Sequence, residues 1–385
     1  MKGLIYNIRG FGASGCRTQI LDYLRSEKVD FVGLQETIRH DFSASKLRRL
    51  EVGGQFNWNW LPAIGHSGGL LLGFRDEVFE VGVWRKGTFY LSAHLLQRRT
   101  KHKWWFMLVY GPADHQRTGE FLSELVREVS SYQDPVVLGG DFNLIRRAGD
   151  KNNANVNWPR VHRFNDAIAN LSLREVARVG ARYTWTNKQL SPVRCVLDRV
   201  FVSPAWEAWF PLCSLTAITR IGSDHTPLLL KSGADERCGP SRFIFQTWWF
   251  GVPGFLDLVK GKLGSFLSDF GPHRGSIDLW MCVARLTRQF LKGWGMNLGK
   301  EKRDRKAGLL AQVEALDAVP DSSGLDEEGW AFRYHLEDQV VLLDSLEEEY
   351  CANIVVCSGS LKGTLARLTS MRLPMGGDGS VGFLV

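Results

Sequence analysis

Val136-Val137-Leu138-Gly139-Gly140-Asp141-Phe142-Asn143 decides the reading: three apolar residues, two glycines, then a carboxylate and a carboxamide two residues apart. In extended chain, residues i and i+2 project to the same side, so Asp141 and Asn143 point one way from the end of a hydrophobic strand. A carboxylate buried there is costly unless a cation or hydrogen bonds compensate it, which marks a candidate site. A strand-terminal Asx turn is the competing explanation.

Working outward, the same arrangement recurs. Val29-Asp30-Phe31-Val32-Gly33-Leu34-Gln35-Glu36-Thr37 is a second apolar run that ends in a carboxylate. Glu36 suits a hard cation such as Mg²⁺, which takes oxygen ligands and one or two protein carboxylates; a solvated loop glutamate is the alternative. Val196-Leu197-Asp198-Arg199-Val200-Phe201-Val202 sets an acid inside an apolar strand, and Ser223-Asp224-His225 precedes Thr226-Pro227-Leu228-Leu229-Leu230. A carboxylate fixing one nitrogen of a histidine ring sets its tautomer and orientation, so Asp198 and His225 form a candidate pair. Asp198 beside a structural Arg194 or Arg199 is equally compatible with the sequence. Asn7 and Tyr110 close two further strands, where such residues often satisfy backbone groups.

The 385 residues carry 48 Lys+Arg against 41 Asp+Glu, a net charge of +7, with 44% hydrophobic and 23% charged residues. These values fit a folded protein and exclude disordered, collagen-like and rod-like chains. The moderate positive charge suits nucleic acid or an anionic surface without choosing between them. Seven scattered cysteines with no CxxC pair argue for reduced thiols rather than a disulfide framework or zinc site. No apolar stretch approaches the ~20 residues of a membrane span, and the N-terminus lacks an export core, so an intracellular protein without membrane association is expected.

Up to about residue 232 short apolar runs alternate with amphipathic stretches, the texture of a mixed α/β domain. Strands are predicted at Gly3 to Asn7, Phe31 to Gln35, Gly69 to Phe74, Phe89 to Leu96, Trp104 to Tyr110, Val136 to Gly139, Val196 to Val202 and Thr226 to Leu230. Helices are predicted at Arg17 to Lys28 and around Phe121 to Val129. Residues 233–252 read as a linker. Residues 253–350 show helical periods, including Leu309, Val313, Leu316 and Leu336, Val340, Leu343, with a break at Pro320 to Gly324. Residues 351–385 read as a poorly ordered tail.

Taken together and in this order, Asn7, Glu36, Tyr110-Gly111-Pro112, Gly140-Asp141-Phe142-Asn143, Asp198 and Ser223-Asp224-His225 resemble the endonuclease/exonuclease/phosphatase superfamily over roughly residues 1–232. Tyr6-Asn7-Ile8-Arg9-Gly10, Leu34-Gln35-Glu36-Thr37, Gly68-Gly69-Leu70, Tyr183-Thr184-Trp185-Thr186-Asn187 and Leu197 to Ser203 look like the endonuclease domain of plant LINE-type (non-LTR) retrotransposons, relatives of apurinic endonucleases. The segment from about 240 to 350 is more loosely similar to the piece joining that domain to a reverse transcriptase, whose Phe/Tyr-x-Asp-Asp signature is nowhere in this chain.

The resemblance implies two packed, mainly antiparallel β-sheets flanked by helices, a four-layer α/β sandwich, followed by a C-terminal helical segment. It implies a phosphodiesterase that nicks DNA and leaves a 3′-hydroxyl and a 5′-phosphate, with Mg²⁺, or Mn²⁺ in its place, held by Glu36 and Asp224. Asp141, positioned by Asn143 and Asn7, would activate water. His225, held by Asp198, and Tyr110 would contact the phosphate. Expected DNA contacts are the basic turn Arg98, Arg99, Lys101 and Lys103, then Arg146 and Arg147, with Thr184 and Ser223; a merely solvated basic turn is the alternative. DNA is the expected partner, with nuclear action and no obligate protein partner. Alternatives are a repair-type apurinic endonuclease or general phosphodiesterase, a catalytically silent nucleic-acid-binding remnant, and a small-molecule phosphatase, which the Leu144-Ile145-Arg146 sequence after Asn143 disfavours.

Overall fold

The computed structural model describes residues 1–65, 67–233, 247–268, 276–319 and 324–358. In chain order the first elements are β1 (Lys2–Asn7), α1 (Cys16–Glu27), β2 (Phe31–Gln35), α2 (Ala44–Leu50), β3 (Phe56–Ile64), β4 (Ser67–Arg75), β5 (Phe79–Lys86), β6 (Tyr90–Gln97), β7 (Lys103–Tyr110), α3 (Thr118–Ser130) and β8 (Val136–Asp141). They are followed by α4 (Trp158–Asn170), β9 (Arg174–Glu175), β10 (Arg178–Gly180), β11 (Trp185–Thr186), β12 (Arg194–Cys195), β13 (Asp198–Val202), α5 (Pro204–Trp209), β14 (Ser214–Ala217) and β15 (Leu228–Lys231). The C-terminal helices are α6 (Phe255–Ser268), α7 (Ser276–Asn297), α8 (Lys300–Asp317) and α9 (Glu327–Ser358).

Two sheets face each other, one ordered β10-β14-β15-β1-β2-β4-β3 and the other β5-β6-β7-β8-β13-β9. Pairing is mainly antiparallel; β1/β2, β7/β8 and β10/β14 are parallel. Period-two alternation splits each central strand between two cores. In β7, Trp104, Phe106 and Leu108 enter the core between the sheets, against Phe31, Phe74 and Val137, while Trp105, Met107 and Val109 pack under α3 and α4 through Phe121, Leu125, Phe164 and Ile168. Leu4, Tyr6, Val32 and Leu34 likewise pack under α1 and α2 through Ile20, Leu24, Leu47 and Leu50. Helices, sheet, sheet and helices give the four-layer α/β sandwich expected from sequence.

β3 and β5, which the sequence reading does not anticipate, each form one edge of a sheet, opposite the short edge strands β10 and β9. Only one flank of an edge strand is paired, so β3 tolerates Pro62 and alternates tryptophan with asparagine, and no apolar run announces it.

The chain forms two compact units, Met1–Pro240 with Arg305–Ser345, and Ser241–Asp304 with Leu346–Val385. The helical stretch expected as one segment, 253–350, is thus divided: its 305–345 portion belongs with the sandwich. There Leu309, Val313, Leu336 and Val340 enclose Ile221. In the second unit Trp249, Phe255 and Leu291 form a small core. Of the expected linker, Thr247–Gly251 is a 3₁₀ turn and 234–246 lie outside the described residues. The expected tail needs correction at its start, since α9 continues to Ser358; residues 359–385 lie outside the described residues.

Candidate active site

One end of the sandwich gathers every polar strand terminus singled out above. The parallel strands β1, β2, β7 and β8 end there at Asn7, Gln35, Tyr110 and Asp141, and antiparallel β13 begins there with Asp198 directly opposite Asp141. The register forces this meeting: apolar residues fill the strand centres and the first polar side chains stand where the sheet runs out.

Asp141 is 1% exposed. Its Oδ2 accepts a hydrogen bond from Asn7 Nδ2 at 3.0 Å, and its Oδ1 accepts one from the Asn143 backbone N–H at 2.9 Å. Asn143 stands at a left-handed φ of 52° and donates its own amide to Gly111 O at 2.8 Å. The Asx turn posed as the competing explanation is present, and it holds a carboxylate that is itself buried. Gly140 has a φ of 148°, and a Cβ there would sit 2.0 Å from Val109 O. Only glycine lets the strand present Asp141 against β7.

His225 Nδ1 faces Asp198 Oδ2 at 2.9 Å, while Nε2 lies 3.4 Å from Asn7 Nδ2 and 3.7 Å from Asp141 Oδ2. Asp198 is thus the histidine's partner. Arg199 pairs instead with Asp150 at 2.5 Å and with Glu175, so the two adjacent charges of β13 serve different networks.

Burial is the largest influence on both titrating groups. It raises the Asp141 carboxyl to about 7 against the opposing pull of His225. It alone would depress His225, but Asp198 and then Asp141 outweigh it and push the imidazole up to about 10. The phenol of Tyr110 is raised by burial, then by Glu36 and Asp141, with Arg9 opposing and Asp224 adding a smaller push. It remains a hydrogen-bond donor, and Glu36, Asp141 and Asp224 all act on it. Glu36 stands one residue past β2 in left-handed backbone, φ 53°.

Asp224 is 4% exposed; Trp185 Nε1 donates to its Oδ2 at 3.0 Å and the Arg9 guanidinium pairs with the same oxygen. Its Oδ1 is buried with no hydrogen-bond partner among the described residues. An orphaned carboxylate oxygen is the donor chemistry of a hard divalent cation, and Glu36, which like Asp224 acts on Tyr110, offers a second carboxylate. Asp141, Asp198 and His225 form another group whose ligand atoms lie within 4.8 Å of one another. It fits a metal less well, because its donor atoms are already engaged: Asp198 Oδ2 holds His225 Nδ1 at 2.9 Å and Asp141 Oδ2 accepts from Asn7 at 3.0 Å.

Two expected DNA contacts need correction. Thr184 is fully buried, its Oγ1 accepting from the Leu197 and Asp198 backbone N–H groups at 2.9 Å each. Ser223 is buried, donating to Asn7 O at 2.8 Å and accepting from His225 N at 3.1 Å. Both brace the backbone around Asp198 and His225 rather than face solvent. Arg146 is committed to Asn165 and Glu175, each at 2.8 Å, while Arg147 is exposed. The basic turn of Arg98, Arg99, Lys101 and Lys103 is also exposed, but it precedes β7, whose far end is Tyr110. Seven residue steps of ~3.3 Å put it roughly 23 Å from the strand end that carries Tyr110.

Sequence reading also passed over Arg9 and Gln35. Arg9, two residues after Asn7 and at a left-handed φ of 49°, is signalled only by a charge following an apolar strand. Gln35 is fully buried beside Gly140, and neither its amide N nor O has a partner among the described residues. Among the described residues no helix is long and apolar enough to cross a membrane.

A family model described as "Endonuclease/Exonuclease/phosphatase family" matches residues 4–225. A search of curated proteins returned no match. Among solved structures, the 3′-5′ exonuclease NExo of Neisseria meningitidis aligns over 61% of this chain and 100% of its own, with 17% identity and a TM-score of 0.50. The AP endonuclease LMAP of Leishmania major aligns over 60% and 86%, with 14% identity and a TM-score of 0.49. The endonuclease domain of TRAS1, a telomere-specific non-LTR retrotransposon, aligns over 61% and 99%, with 13% identity and a TM-score of 0.46.

Proposed function

The chain belongs to the endonuclease/exonuclease/phosphatase family, and on that premise we propose that it is a divalent-metal-dependent phosphodiesterase that nicks DNA and leaves a 3′-hydroxyl and a 5′-phosphate. The observation that carries this reading is the pairing, on a single asparagine, of Asp141 and His225: Asn7 Nδ2 is 3.0 Å from one and 3.4 Å from the other. A carboxylate able to accept a proton and an imidazolium able to donate a hydrogen bond thus face the same small volume.

Asp141, its carboxyl raised to about 7 by burial, accepts a proton from water near neutral pH and leaves the oxygen free to attack phosphorus. As that bond forms, the bond from phosphorus to the 3′-oxygen breaks, and the departing oxygen takes a proton to become the 3′-hydroxyl. His225, its Nδ1 engaged by Asp198, directs Nε2–H at a non-bridging phosphate oxygen, and the Tyr110 hydroxyl donates to the same group. Glu36 and Asp224 would hold the cation, Mg²⁺ or Mn²⁺, which when bound supplies positive charge against the charge developing on the phosphate.

The motifs at Leu34 to Thr37, Tyr183 to Asn187 and Leu197 to Ser203 support an origin in a non-LTR retrotransposon, and a DNA substrate makes nuclear action the natural assignment. Incubating supercoiled plasmid with the protein and Mg²⁺ should convert it to the open circular form. EDTA or Asp141→Asn should stop the reaction. Undiminished nicking by Asp141→Asn would remove the assignment of the base, and an abasic duplex cut strongly in preference to an intact one would favour a repair enzyme.

A further inference from the structure

Glu337 lies on α9, more than a hundred residues beyond the family-matched segment, yet it is only 2% exposed and gathers four partners. Its Oε1 accepts from Lys188 Nζ at 2.6 Å and from the Gly222 backbone N–H at 2.9 Å. Its Oε2 accepts from Arg220 at 3.4 Å and from Arg333. Arg333, itself fully buried, also donates to Arg220 O at 2.9 Å and to both carboxylate oxygens of Asp317 on α8.

These bonds converge on one short stretch, Arg220-Ile221-Gly222-Ser223, whose next residues are Asp224 and His225. Ile221 is enclosed by the apolar faces of α8 and α9, and its carbonyl accepts from Gln19 at 2.7 Å and Tyr6 at 3.0 Å. Gly222 adopts a left-handed φ of 76°. The stretch is held by the α8–α9 hairpin, by β1 and α1, and by Lys188, which also donates to Gly222 O at 3.0 Å; just beyond it Thr186 N–H donates to Asp224 O at 3.1 Å. A buried carboxylate surrounded by three cations and one backbone N–H is an expensive device in a mere packing helix, since each charge must be desolvated.

We propose that the α8–α9 hairpin is a working part of the nuclease site and that Glu337 is a positioning residue, fixing the Arg220–Ser223 loop so that Asp224 and His225 stand in register with Asp141. This deepens the nicking assignment and rests on it. Displacement of a catalytic side chain by about 1 Å from a remote change costs on the order of a hundredfold in rate.

The test uses the full chain carrying Glu337→Ala, with Glu337→Asp as the conservative variant. A second isosteric variant, Glu337→Gln, keeps an acceptor for the Gly222 N–H while removing the charge, and covers the case in which the alanine variant does not fold. Two readouts are taken at a temperature where circular dichroism shows the variant folded. One is the single-turnover nicking rate together with plasmid affinity. The other is amide hydrogen exchange, read by NMR, at Gly222 and at His225, whose N–H is held by Ser223 Oγ. Glu337→Ala should nick about a hundredfold more slowly with affinity changed by less than about twofold, and its Gly222 and His225 amides should exchange faster than in wild type as the loop loosens. Glu337→Asp should restore part of both. A folded alanine variant with the wild-type rate, or with wild-type exchange at His225, would overturn the proposal, as would the same result in a folded glutamine variant where the alanine variant does not fold. If wild type itself does not nick, the parent reading fails, and the exchange at His225 still decides this one.

Discussion

Asp198→Asn isolates what the buried carboxylate does for His225, because it keeps the shape of the side chain and removes its charge. The contact is 2.9 Å, and the two side chains are only 5% and 4% exposed, so solvent screening takes little from it. A hydrogen bond between charged, buried groups is worth about 1.5–3 kcal/mol, which at ~1.4 kcal/mol per pH unit is about one to two units of pKa. The imidazole, pushed up to about 10 in the native protein, should therefore titrate at about 8–9 in the variant. In the proposed mechanism activity requires Asp141 ionised and His225 protonated, so the rate should rise through about 7 and fall through about 10 in the wild type. The falling limb should move down in Asp198→Asn, and the rising limb should also shift to lower pH, because the Asp198 charge helps to raise Asp141.

The measurable consequence depends on pH. At about pH 9.5 the variant should lose roughly eightfold relative to wild type through titration alone, whereas at about pH 7.5 the same cause should cost less than about twofold. Stability follows the same sign. A histidine whose folded pKa lies above its ordinary value contributes stability that is fully present below about 6.5 and lost as pH rises through about 10. The gap in melting temperature between wild type and variant should accordingly close at high pH. Single-turnover nicking across pH 6 to 10.5 at fixed Mg²⁺ reads the limb directly. A folded Asp198→Asn protein with an unmoved alkaline limb would show that His225 does not act as the protonated donor.

Three further outcomes are expected. Gly140→Ala should destabilise the fold by about 1–3 kcal/mol or more, since its Cβ would meet Val109 O at 2.0 Å, and a thermal melt equal to wild type would contradict the geometry. Arg199→Met should cost about 3–5 kcal/mol by stranding the buried Asp150; chemical denaturation measures this, and a loss below about 1 kcal/mol would mean that Asp150 finds other compensation. Neutralising Arg99, Lys101 and Lys103 should leave the salt dependence of plasmid binding unchanged, because their turn lies at the far end of β7 from the site. A slope shallower by about 0.9 per removed charge would instead show that DNA reaches it.

The catalytic end was legible in the sequence because each of its residues interrupts an apolar run at the point where burial stops paying for itself. Asp141 after two glycines, Asp198 inside Val196 to Val202 and His225 before Thr226 are all charges placed where hydrophobic pattern alone would put none. Edge strands β3 and β5 were not legible for the opposite reason, since a strand paired on one flank needs no continuous apolar pattern. Thr184 and Ser223 were recognised as belonging to the site, but not as buried braces. A hydroxyl facing a backbone N–H and one facing a phosphate are the same residue in a sequence, and only the fold reveals which side of the strand end it occupies.

The same limit explains Arg199. Its neighbour Asp198 looked like its partner by adjacency, but consecutive residues of an extended strand project to opposite faces. Asp198 therefore turns toward His225 and the site, while Arg199 turns toward Asp150 and Glu175 beneath it. One strand thus supplies both the charge that orients the imidazole and the buried cation that anchors the Ala148–Asp150 turn after Asn143. A one-residue slip of β13 against β8 would exchange these roles, leaving His225 without its carboxylate and setting a guanidinium opposite Asp141. Register, fixed by the pairing of Asp198 with Asp141 through Val202 with Val137, is consequently as much a part of the chemistry as the side chains themselves.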